Sequence, residues 1–274
     1  MKINTNPQSL AAQRTMQKVG QDRDLVLEQL SSGERIIQSS VDPAGLAISE
    51  KMKASIRSTA MAKRNVGDAV SMLQVAEGSL STISEMSSRM RELALQAAND
   101  TLWSDDRKMV DLEFQQLKNE IHRTVQKADY NGRKLFLEDA GSYDFQVGIT
   151  AAKDNIIGYD VSKALRSINH LGIDGGNVQT KEASQAALSR MDKAMQIVSS
   201  GRATIGSLHE RMEASAQNLG VSEENLSASN SRIRDVDVAI AASEKAKLTI
   251  MGEATASTLA QANTRPQDAL RLLN

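Results

Sequence analysis

A repeat of uncharged residues between positions 48 and 97 constrains the fold of this chain more than any other feature. The repeated positions are spaced alternately by four and three residues, and they hold Ile48, Met52, Ser55, Thr59, Ala62, Val66, Ala69, Leu73, Ala76, Leu80, Ile83, Ser87, Met90, Ala94 and Ala97. A mean spacing of 3.5 residues keeps one seam of a helix facing a partner helix, as in a coiled coil. The pattern therefore predicts one long helix of about 75 Å.

A second seam of the same kind lies in the C-terminal half of the chain. Every seventh residue from 191 to 240 is large and apolar, namely Met191, Val198, Ile205, Met212, Leu219, Leu226, Ile233 and Ile240. The two long helices most simply pack on each other. A third helix at about 104–129, with Ser104 as N-cap and Asn131-Gly132 at its end, is expected to complete this bundle.

Between the third helix and the second seam, residues 133–180 form the only block without a helical pattern. Alternate positions in 143–149 and in 157–161 are apolar or aromatic, which is typical of half-buried strands. Residues 150–155 between them have the composition of a turn. The block therefore predicts a small β-hairpin followed by a glycine-rich loop, LGIDGGNV, at 171–178.

The two ends of the chain are amphipathic but have no partner within the predicted bundle. Residues 9–32 form one such helix, which Gly33 ends, and Asp42-Pro43 begins the long helix that follows. An isolated helix of this length is marginal in water. We therefore expect both ends to be mobile in the monomer and to become ordered when copies of the chain assemble.

The composition excludes several classes of protein. Only 3% of the residues are aromatic, and the formal net charge is −1, so no basic field favours a nucleic-acid partner. Cysteine is absent, which rules out disulfides and thiolate ligands. Neither a cleaved Sec signal nor an apolar run of membrane-spanning length is recognisable, so no membrane insertion is expected.

The candidate chemical residues do not form a recognisable site. His122, His170 and His209 are scattered, and Asp105, Asp106 and Asp111 lack the spacing of a calcium loop. The glycine-rich loop has neither of the phosphate-binding glycine patterns. We therefore expect no catalytic residues, no cofactor and no metal, and a protein that is not an enzyme.

Motifs spread over nearly the whole chain resemble bacterial flagellin. They include INTNPQSLAAQR, LSSGERI, RNVGDAVSMLQVAEGSL, RMRELALQAAND, FQVG, LGIDGGNVQ, RATIGSLHERME, NLGVSEENLSASNSRIRDVD and LAQANTRPQDALRLL. The N-terminal and C-terminal motifs occur in the order that the family has. Residues 177–188 run directly into the second long helix, so the chain resembles a minimal flagellin without variable outer domains.

The resemblance implies a mainly α fold with two domains. An inner, filament-core domain of helical coiled coil would consist of residues 1–40 and 235–274. A rod domain would occupy residues 41–234, as a long antiparallel helical bundle with the third helix and a small β-hairpin region at about 133–180. The family's function would then be that of a structural filament subunit, self-assembling into a hollow helical polymer that serves swimming motility.

The family's partners are implied in the same way. They are other copies of the chain, the flagellar type III export apparatus, an export chaperone, and the filament cap and junction proteins. The product would be secreted unfolded and would reside outside the cell. Vertebrate innate immune receptors recognise the family near the segment RMRELALQ, which carries over to Arg89, Leu93 and Glu113 as receptor-binding residues.

The segment SRIRDVDVA, residues 231–239, is expected to set register at an interface between helices or subunits. On a continuous helix, Ile233, Val236 and Ile240 would form one stripe. Arg232 with Asp235, and Arg234 with Asp237, would form one opposite-charge pair on each flank of it. Such pairs stabilise a helix by only a few tenths of a kcal/mol, so a role in partner choice is favoured.

Two other readings compete with the filament subunit. A hook–filament junction protein of the same superfamily has similar ends, and its low copy number in purified filaments would distinguish it. A chemoreceptor-like signalling hairpin is also a long coiled coil, but it requires a tight helical tip at mid-chain. The hairpin and loops predicted at that place favour the filament subunit.

Overall fold

The computed structural model describes residues 6–136, 142–160, 173 and 175–271. The chain divides into two compact units, one formed by Arg57–Glu223 and the other by Met1–Ile56 with Glu224–Asn274. The helices are α1 (Pro7–Ser32), α2 (Pro43–Ala97), α3 (Ser104–Lys127), α4 (Lys181–Arg234) and α5 (Val238–Arg271), and the strands are β1 (Asp129–Tyr130), β2 (Arg133–Lys134), β3 (Ser142–Gln146) and β4 (Ile156–Asp160). The predicted strand position Val161 and much of the LGIDGGNV loop lie outside the described residues.

In the unit formed by residues 57–223, which we call the rod unit, α2 and α4 run antiparallel. Their direction follows from two ion pairs across the seam, Arg202 Nε to Glu77 Oε1 at 2.8 Å and Arg91 Nε to Asp192 Oδ1 at 2.7 Å. Every seam position from Thr59 to Ala97 is buried, and so are Met191, Val198, Ile205 and Met212. The heptad pattern therefore predicted both long helices and the face that each of them buries.

Helix α3 packs its apolar face on this pair. Phe114 and Ile121 are fully buried in the shared core, and Val125 is nearly so. The expected N-cap is displaced by one residue, because Ser104 is already helical and Trp103 occupies the cap position. The carboxylate of Asp106 accepts a hydrogen bond from the Trp103 backbone N–H at 3.3 Å, which satisfies a donor at the positively polarised end of the helix.

A tight hairpin that the sequence reading missed follows α3. Helix α3 ends at Lys127, and Asn131-Gly132 connects strands β1 and β2 instead of ending the helix. Both turn residues have left-handed backbone angles, with φ of 52° and 80°. A two-residue loop with positive φ at both positions is the turn that asparagine–glycine favours. The Asn131-Gly132 dipeptide is the sequence feature from which this hairpin could have been predicted.

The larger predicted hairpin is confirmed. Strands β3 and β4 pair antiparallel, with Tyr143 opposite Tyr159 and Phe145 opposite Ile157. Tyr143 and Tyr159 are buried against the helices, and the Tyr143 hydroxyl donates to the Lys134 carbonyl oxygen at 2.9 Å. This last bond ties the two hairpins together.

In the second unit, which we call the terminal unit, α1 and α5 form an antiparallel pair. Asn6 Nδ2 donates to the Ala262 carbonyl oxygen at 2.7 Å, and at the opposite end Val236 N donates to the Gly33 carbonyl oxygen at 3.0 Å. The buried apolar cluster between the helices consists of Val19, Val26, Ala241 and Leu248. The fold is thus mainly α, with a helical rod, a small hairpin and a separate terminal coiled coil, as the sequence predicted.

The connections into and out of the terminal helices follow specific capping chemistry. Gly33 ends α1 with φ of 73°, and its N–H donates to the Gln29 carbonyl oxygen. Asp42 precedes Pro43 at the start of α2 and accepts from the Gly45 N–H at 2.9 Å. Both boundaries were predicted from these residue types.

Candidate functional site

The segments that join α1 to α2 and α4 to α5 lie side by side. Arg35 N donates to the Arg234 carbonyl oxygen at 2.6 Å, and Val236 N donates to the Gly33 carbonyl oxygen at 3.0 Å. Glu34 and Asp235 form an isolated antiparallel bridge between these bonds. We call residues 33–36 and 233–236, with Glu50 and Lys53 of α2, the linker clamp.

Arg234 is the central cation of the linker clamp. Its side chain is only 12% exposed, and its Nε lies 2.9 Å from Glu34 Oε2 while its guanidinium also bonds to Glu50. The hydrogen bond to Glu50 is the larger cause that raises the pKa of Arg234. Lys53 Nζ, 3.0 Å from Glu34 Oε1, adds a second positive charge.

These cations change the pKa of Glu34. Burial alone would raise its pKa, but the hydrogen bond from Lys53 and the contact with Arg234 outweigh this effect, and the net shift is downward. Two further bonds close the clamp, from Arg35 Nη2 to the Ile233 carbonyl oxygen and from Gln29 Nε2 to the Arg35 carbonyl oxygen, both at 2.7 Å. The site thus combines backbone pairing with a network of charges.

The expected continuous helix through residues 231–240 is wrong, and so are the pairs placed on it. Helix α4 ends at Arg234, and α5 begins at Val238. Asp235 accepts from Ser231 Oγ at 2.6 Å rather than pairing with Arg232. Asp237 accepts from the N–H groups of residues 239 and 240, so it caps α5 instead of pairing with Arg234.

The apolar stripe expected in the same segment is also divided. Ile233 is half-buried in the last turn of α4, and Val236 packs against the apolar cluster of the terminal unit from its non-helical position. Ile240 is 69% exposed. Arg232 is exposed and contacts the Ser229 hydroxyl. Only part of the predicted interface segment therefore faces outward.

The second predicted site lies where α2 and α3 meet in the rod unit. Arg89 Nε donates to Glu113 Oε1 at 2.9 Å, and Arg89 Nη1 donates to Glu92 Oε2 at 3.1 Å. These bonds, that with Glu113 first, raise the pKa of Arg89. The structure thus brings Arg89 and Glu113 together on an exposed surface.

Leu93, the third residue expected to bind a receptor, does not lie on this exposed surface. It is 2% exposed and belongs to the core of the rod unit. Exposed apolar side chains occur elsewhere on these two helices and their connection, at Leu95, Trp103, Met109 and Leu112. Met109 and Leu112 stand three residues apart on the face of α3 opposite its buried stripe, a signal that the sequence reading did not use.

Among the remaining candidate residues, Asp111 has a structural role. Asp111 is buried and accepts from Val178 N at 3.0 Å and from Gln179 Nε2 at 2.8 Å, so it fastens the segment before α4 to α3. His209 lies 3.9 Å from Glu213 on the same helix, and His170 is outside the described residues. Among the described residues no group of histidine or acidic side chains is arranged to hold a metal ion.

Comparison with known proteins gives the family of this chain. The sequence model of the bacterial flagellin N-terminal helical region matches residues 3–140, and that of the C-terminal helical region matches residues 188–273. A flagellin from Halalkalibacterium halodurans is 38% identical over 273 residues, with both chains covered completely. The chain belongs to the bacterial flagellin family. It is therefore a structural subunit of a bacterial flagellar filament.

Other relatives agree with membership of the flagellin family. A flagellin from Bacillus subtilis is 34% identical, again over the full length of both chains. A solved structure described as a flagellar hook-associated protein, from Vibrio parahaemolyticus, has a TM-score of 0.58 at 17% identity and covers 71% of this chain and 100% of its own. That likeness shows a shared fold and does not favour the hook–filament junction reading. In the described part of this flagellin, no helix has the length and apolarity needed to cross a membrane.

Proposed function

We propose that this flagellin polymerises by burying the outer faces of its terminal helix pair against other copies of itself. Two observations on the terminal unit support this proposal. Among the residues whose side chains are described, the cluster between α1 and α5 contains four buried apolar residues, although the helices span 26 and 34 residues. Large apolar side chains remain exposed on both helices, at Leu10, Met16, Leu27, Val238, Ile240, Ile250 and Met251.

Covering these exposed side chains would stabilise the assembled state, because each Å² of apolar surface removed from water contributes roughly 25 cal/mol of favourable free energy. Apolar residues outside the pair's own seam gain this contribution only when another molecule covers them. Ordering each residue costs on the order of 1–2 kcal/mol of backbone entropy, so a pair with so small a core benefits from an external partner. We still expect the ends to be mobile in the dilute monomer, where the helix pair opens and closes, and to stay ordered once other copies cover it on assembly.

Polymerisation of purified protein tests the proposal directly. Concentrated subunit is incubated with short filament seeds, and growth is followed by sedimentation and electron microscopy. We expect hollow filaments that lengthen from the seeds. Seeds that do not grow in any of several concentrations of well-folded subunit would contradict the proposal.

Limited trypsin digestion of dilute monomer tests whether the ends of the chain are mobile. Equal resistance of the ends and the centre to trypsin would reject that part of the proposal.

The predicted interface segment enters this proposal in a revised form. Ile240 is exposed and suits a contact with another copy, whereas Arg232, Ile233, Arg234, Asp235 and Val236 contact residues of their own chain. Asp237 serves as a helix cap. We therefore assign the subunit contact to the exposed residues after 237 and an internal positioning role to those before it.

We also propose the route that delivers the subunit to the filament. The family resemblance supports secretion in an unfolded state through the flagellar type III apparatus, with an export chaperone, a filament cap and junction proteins as partners. The absence of cysteine fits such a route, because no disulfide has to form after export. Deletion of the export apparatus in the source bacterium is expected to retain the subunit inside the cell, and secretion that continues unchanged would reject this route.

Recognition by a vertebrate innate immune receptor is a further part of the proposal. The exposed Arg89–Glu113 pair offers fixed charges, while Leu93 supports α2 from within the core. We expect Arg89→Ala to weaken receptor signalling by the monomer in a reporter assay, because it removes the exposed cation without opening the core. Lys108→Ala, which removes an exposed cation of α3, is the matched control. Unchanged potency of Arg89→Ala would reject this role.

A further inference from the structure

The apolar cluster of the terminal unit specifies the pairing of its helices only weakly. Val19 and Val26 are seven residues apart on α1, and Ala241 and Leu248 are seven residues apart on α5. A slip of one heptad, about 10 Å along the axis, would therefore still place apolar residues of one helix against apolar residues of the other. Coiled coils with such repeats need polar contacts to select one register.

Polar contacts at the far end of the pair contribute little to this selection. Asn6 Nδ2 donates to the Ala262 carbonyl oxygen at 2.7 Å, and Ser9 Oγ donates to Asn263 Oδ1 at 2.8 Å. Both bonds are part-buried and join neutral groups, and a hydrogen bond between neutral groups contributes only about 0.5–1.5 kcal/mol. A slipped pair would lose these bonds at small cost.

The linker clamp is a much stronger constraint at the other end. Its two backbone bonds pair Gly33 and Arg35 with residues 236 and 234, so a displaced strand would lose both. Arg234 is held by Glu34, by Glu50 and by the Ser49 hydroxyl at 3.2 Å. Since this guanidinium is largely buried, a slip would separate it from charges that a partly desolvated cation requires.

We propose that the linker clamp is a register lock, which fixes the end of α1 against the start of α5 and so selects one of their heptad-related pairings. The clamp lies next to both helices, immediately after α1 ends and immediately before α5 begins. Its geometry therefore sets the offset between the two helices before their side chains meet. The lock acts within one subunit, so it holds or fails independently of whether the chain polymerises.

Engineered disulfides can report the register, because the natural chain has no cysteine. A Cβ at Gly252 would lie 3.9 Å from Val19 Cγ1, so Val19→Cys with Gly252→Cys reports the observed register. Val26→Cys with Gly252→Cys reports a slip of one heptad. Both variants are oxidised as dilute monomers, and the rates of intramolecular disulfide formation are compared by mass spectrometry.

With the clamp intact, we expect the disulfide between positions 19 and 252 to form at least about tenfold faster than the disulfide between positions 26 and 252. A register preference of roughly 1.4 kcal/mol would give this ratio. Arg234→Gln should bring the two rates close together. Arg232→Gln, which removes a neighbouring exposed charge, should leave the ratio as it was. Amide exchange at Arg35 and Val236 should accelerate in Arg234→Gln and not in Arg232→Gln.

Three results would overturn the register lock. One is a ratio near unity in the chain with its natural clamp. Another is an unchanged ratio in Arg234→Gln although the amides of the clamp exchange faster. The third is equal loss of both disulfides in Arg234→Gln, which would mean that the clamp is needed for pairing as such. None of them bears on filament growth from seeds, so the proposed function is tested separately.

Discussion

Arg234 illustrates, at the scale of single residues, where prediction from the sequence ended. Its charge beside an apolar seam indicated a contact role. The partners were assigned wrongly, because helical spacing offers only residues three or four positions away. Its actual partners, Glu34 and Glu50, are 200 and 184 positions away in the sequence, and only the packing of the whole terminal unit brings them close.

Glu34 should make the terminal unit sensitive to acid. Its pKa is lowered in the folded chain by Lys53 and Arg234, which outweigh the opposing effect of burial. The stabilisation that ionised Glu34 gives the terminal unit is therefore complete above the ordinary glutamate pKa of about 4.5. It is lost as the pH falls through the lowered pKa of Glu34. Thermal unfolding followed by circular dichroism between pH 7 and pH 3 measures it.

In that experiment, Glu34→Gln should be less stable than the natural chain at neutral pH, and the difference should shrink as the pH falls. Lys53, Glu50 and Arg234 face Glu34 in the clamp, and Glu50→Gln is the variant that tests whether the neighbouring carboxylate causes the acid response instead. A stability difference that stays constant down to pH 3 would show that Glu34 is not the titrating group.

Asp111 should stabilise the rod unit through hydrogen bonding rather than through charge pairing. Its carboxylate accepts from Val178 N, Gln179 Nε2 and Gln115 Nε2. Asp111→Ala leaves the buried Val178 N–H without an acceptor, which costs roughly 1–3 kcal/mol. Denaturant unfolding measures the loss, and Asp105→Ala on the exposed side of α3 should change stability by less than about 0.5 kcal/mol. Equal effects of both variants would refute this role.

At the scale of elements, the heptad repeats predicted the long helices because burial of a continuous seam determines them. The repeat could not show that the helix ends at Arg234, since Ile233 and Ile240 continue the sevenfold spacing across the break. Asp237 was the residue that could have indicated the break, because aspartate is favoured as an N-cap. Aspartate is also tolerated on a helix flank, so the residue alone did not distinguish a break from a continuous helix. The backbone bonds of the clamp, which involve residues far away in sequence, decide between the two.

The Asn131-Gly132 hairpin gives a prediction at the same scale. Gly132 has φ of 80° with open space around its Cα, so Gly132→Ala is opposed by backbone conformation alone and should destabilise the rod unit by about 1–2 kcal/mol. Gly78→Ala, in the middle of α2 with nothing within 4 Å of the added methyl group, should stabilise it by about 0.5–1 kcal/mol. Thermal unfolding of the two variants measures both effects, and a shift of the same sign in both would contradict the conformational argument.

For the whole molecule, the two units differ in how they bury apolar surface. The rod unit has a continuous core that runs from Val66 to Met212, with aromatic residues of α3 and the larger hairpin in it. In the terminal unit, the cluster between α1 and α5 has four buried apolar residues among those described, Ile36 of the linker clamp is buried as well, and several large apolar side chains stay exposed. The residue pattern predicted unpartnered terminal stripes, and only the family resemblance implied that the two helices pair with each other, because their shared buried seam is short.

Ile250 tests whether the exposed apolar surface of the terminal unit is used in assembly. It is 67% exposed on α5, so Ile250→Asp should leave the helical content and unfolding of the monomer nearly unchanged. If another copy covers this side chain, burying an aspartate there is strongly unfavourable, and seeded filament growth should fall by at least about tenfold. Sedimentation and electron microscopy of seeded reactions measure the growth.

The neighbouring residue supplies the control for this variant. Thr249 is also exposed on α5, and Thr249→Asp adds the same charge without removing a large apolar side chain. We expect Thr249→Asp to slow growth less than Ile250→Asp, and sodium chloride to rescue it more, because salt screens exposed charges but does not restore apolar contact. Equal growth defects with equal rescue by salt would attribute the effect to charge alone, and filament growth would then not depend on burial of Ile250.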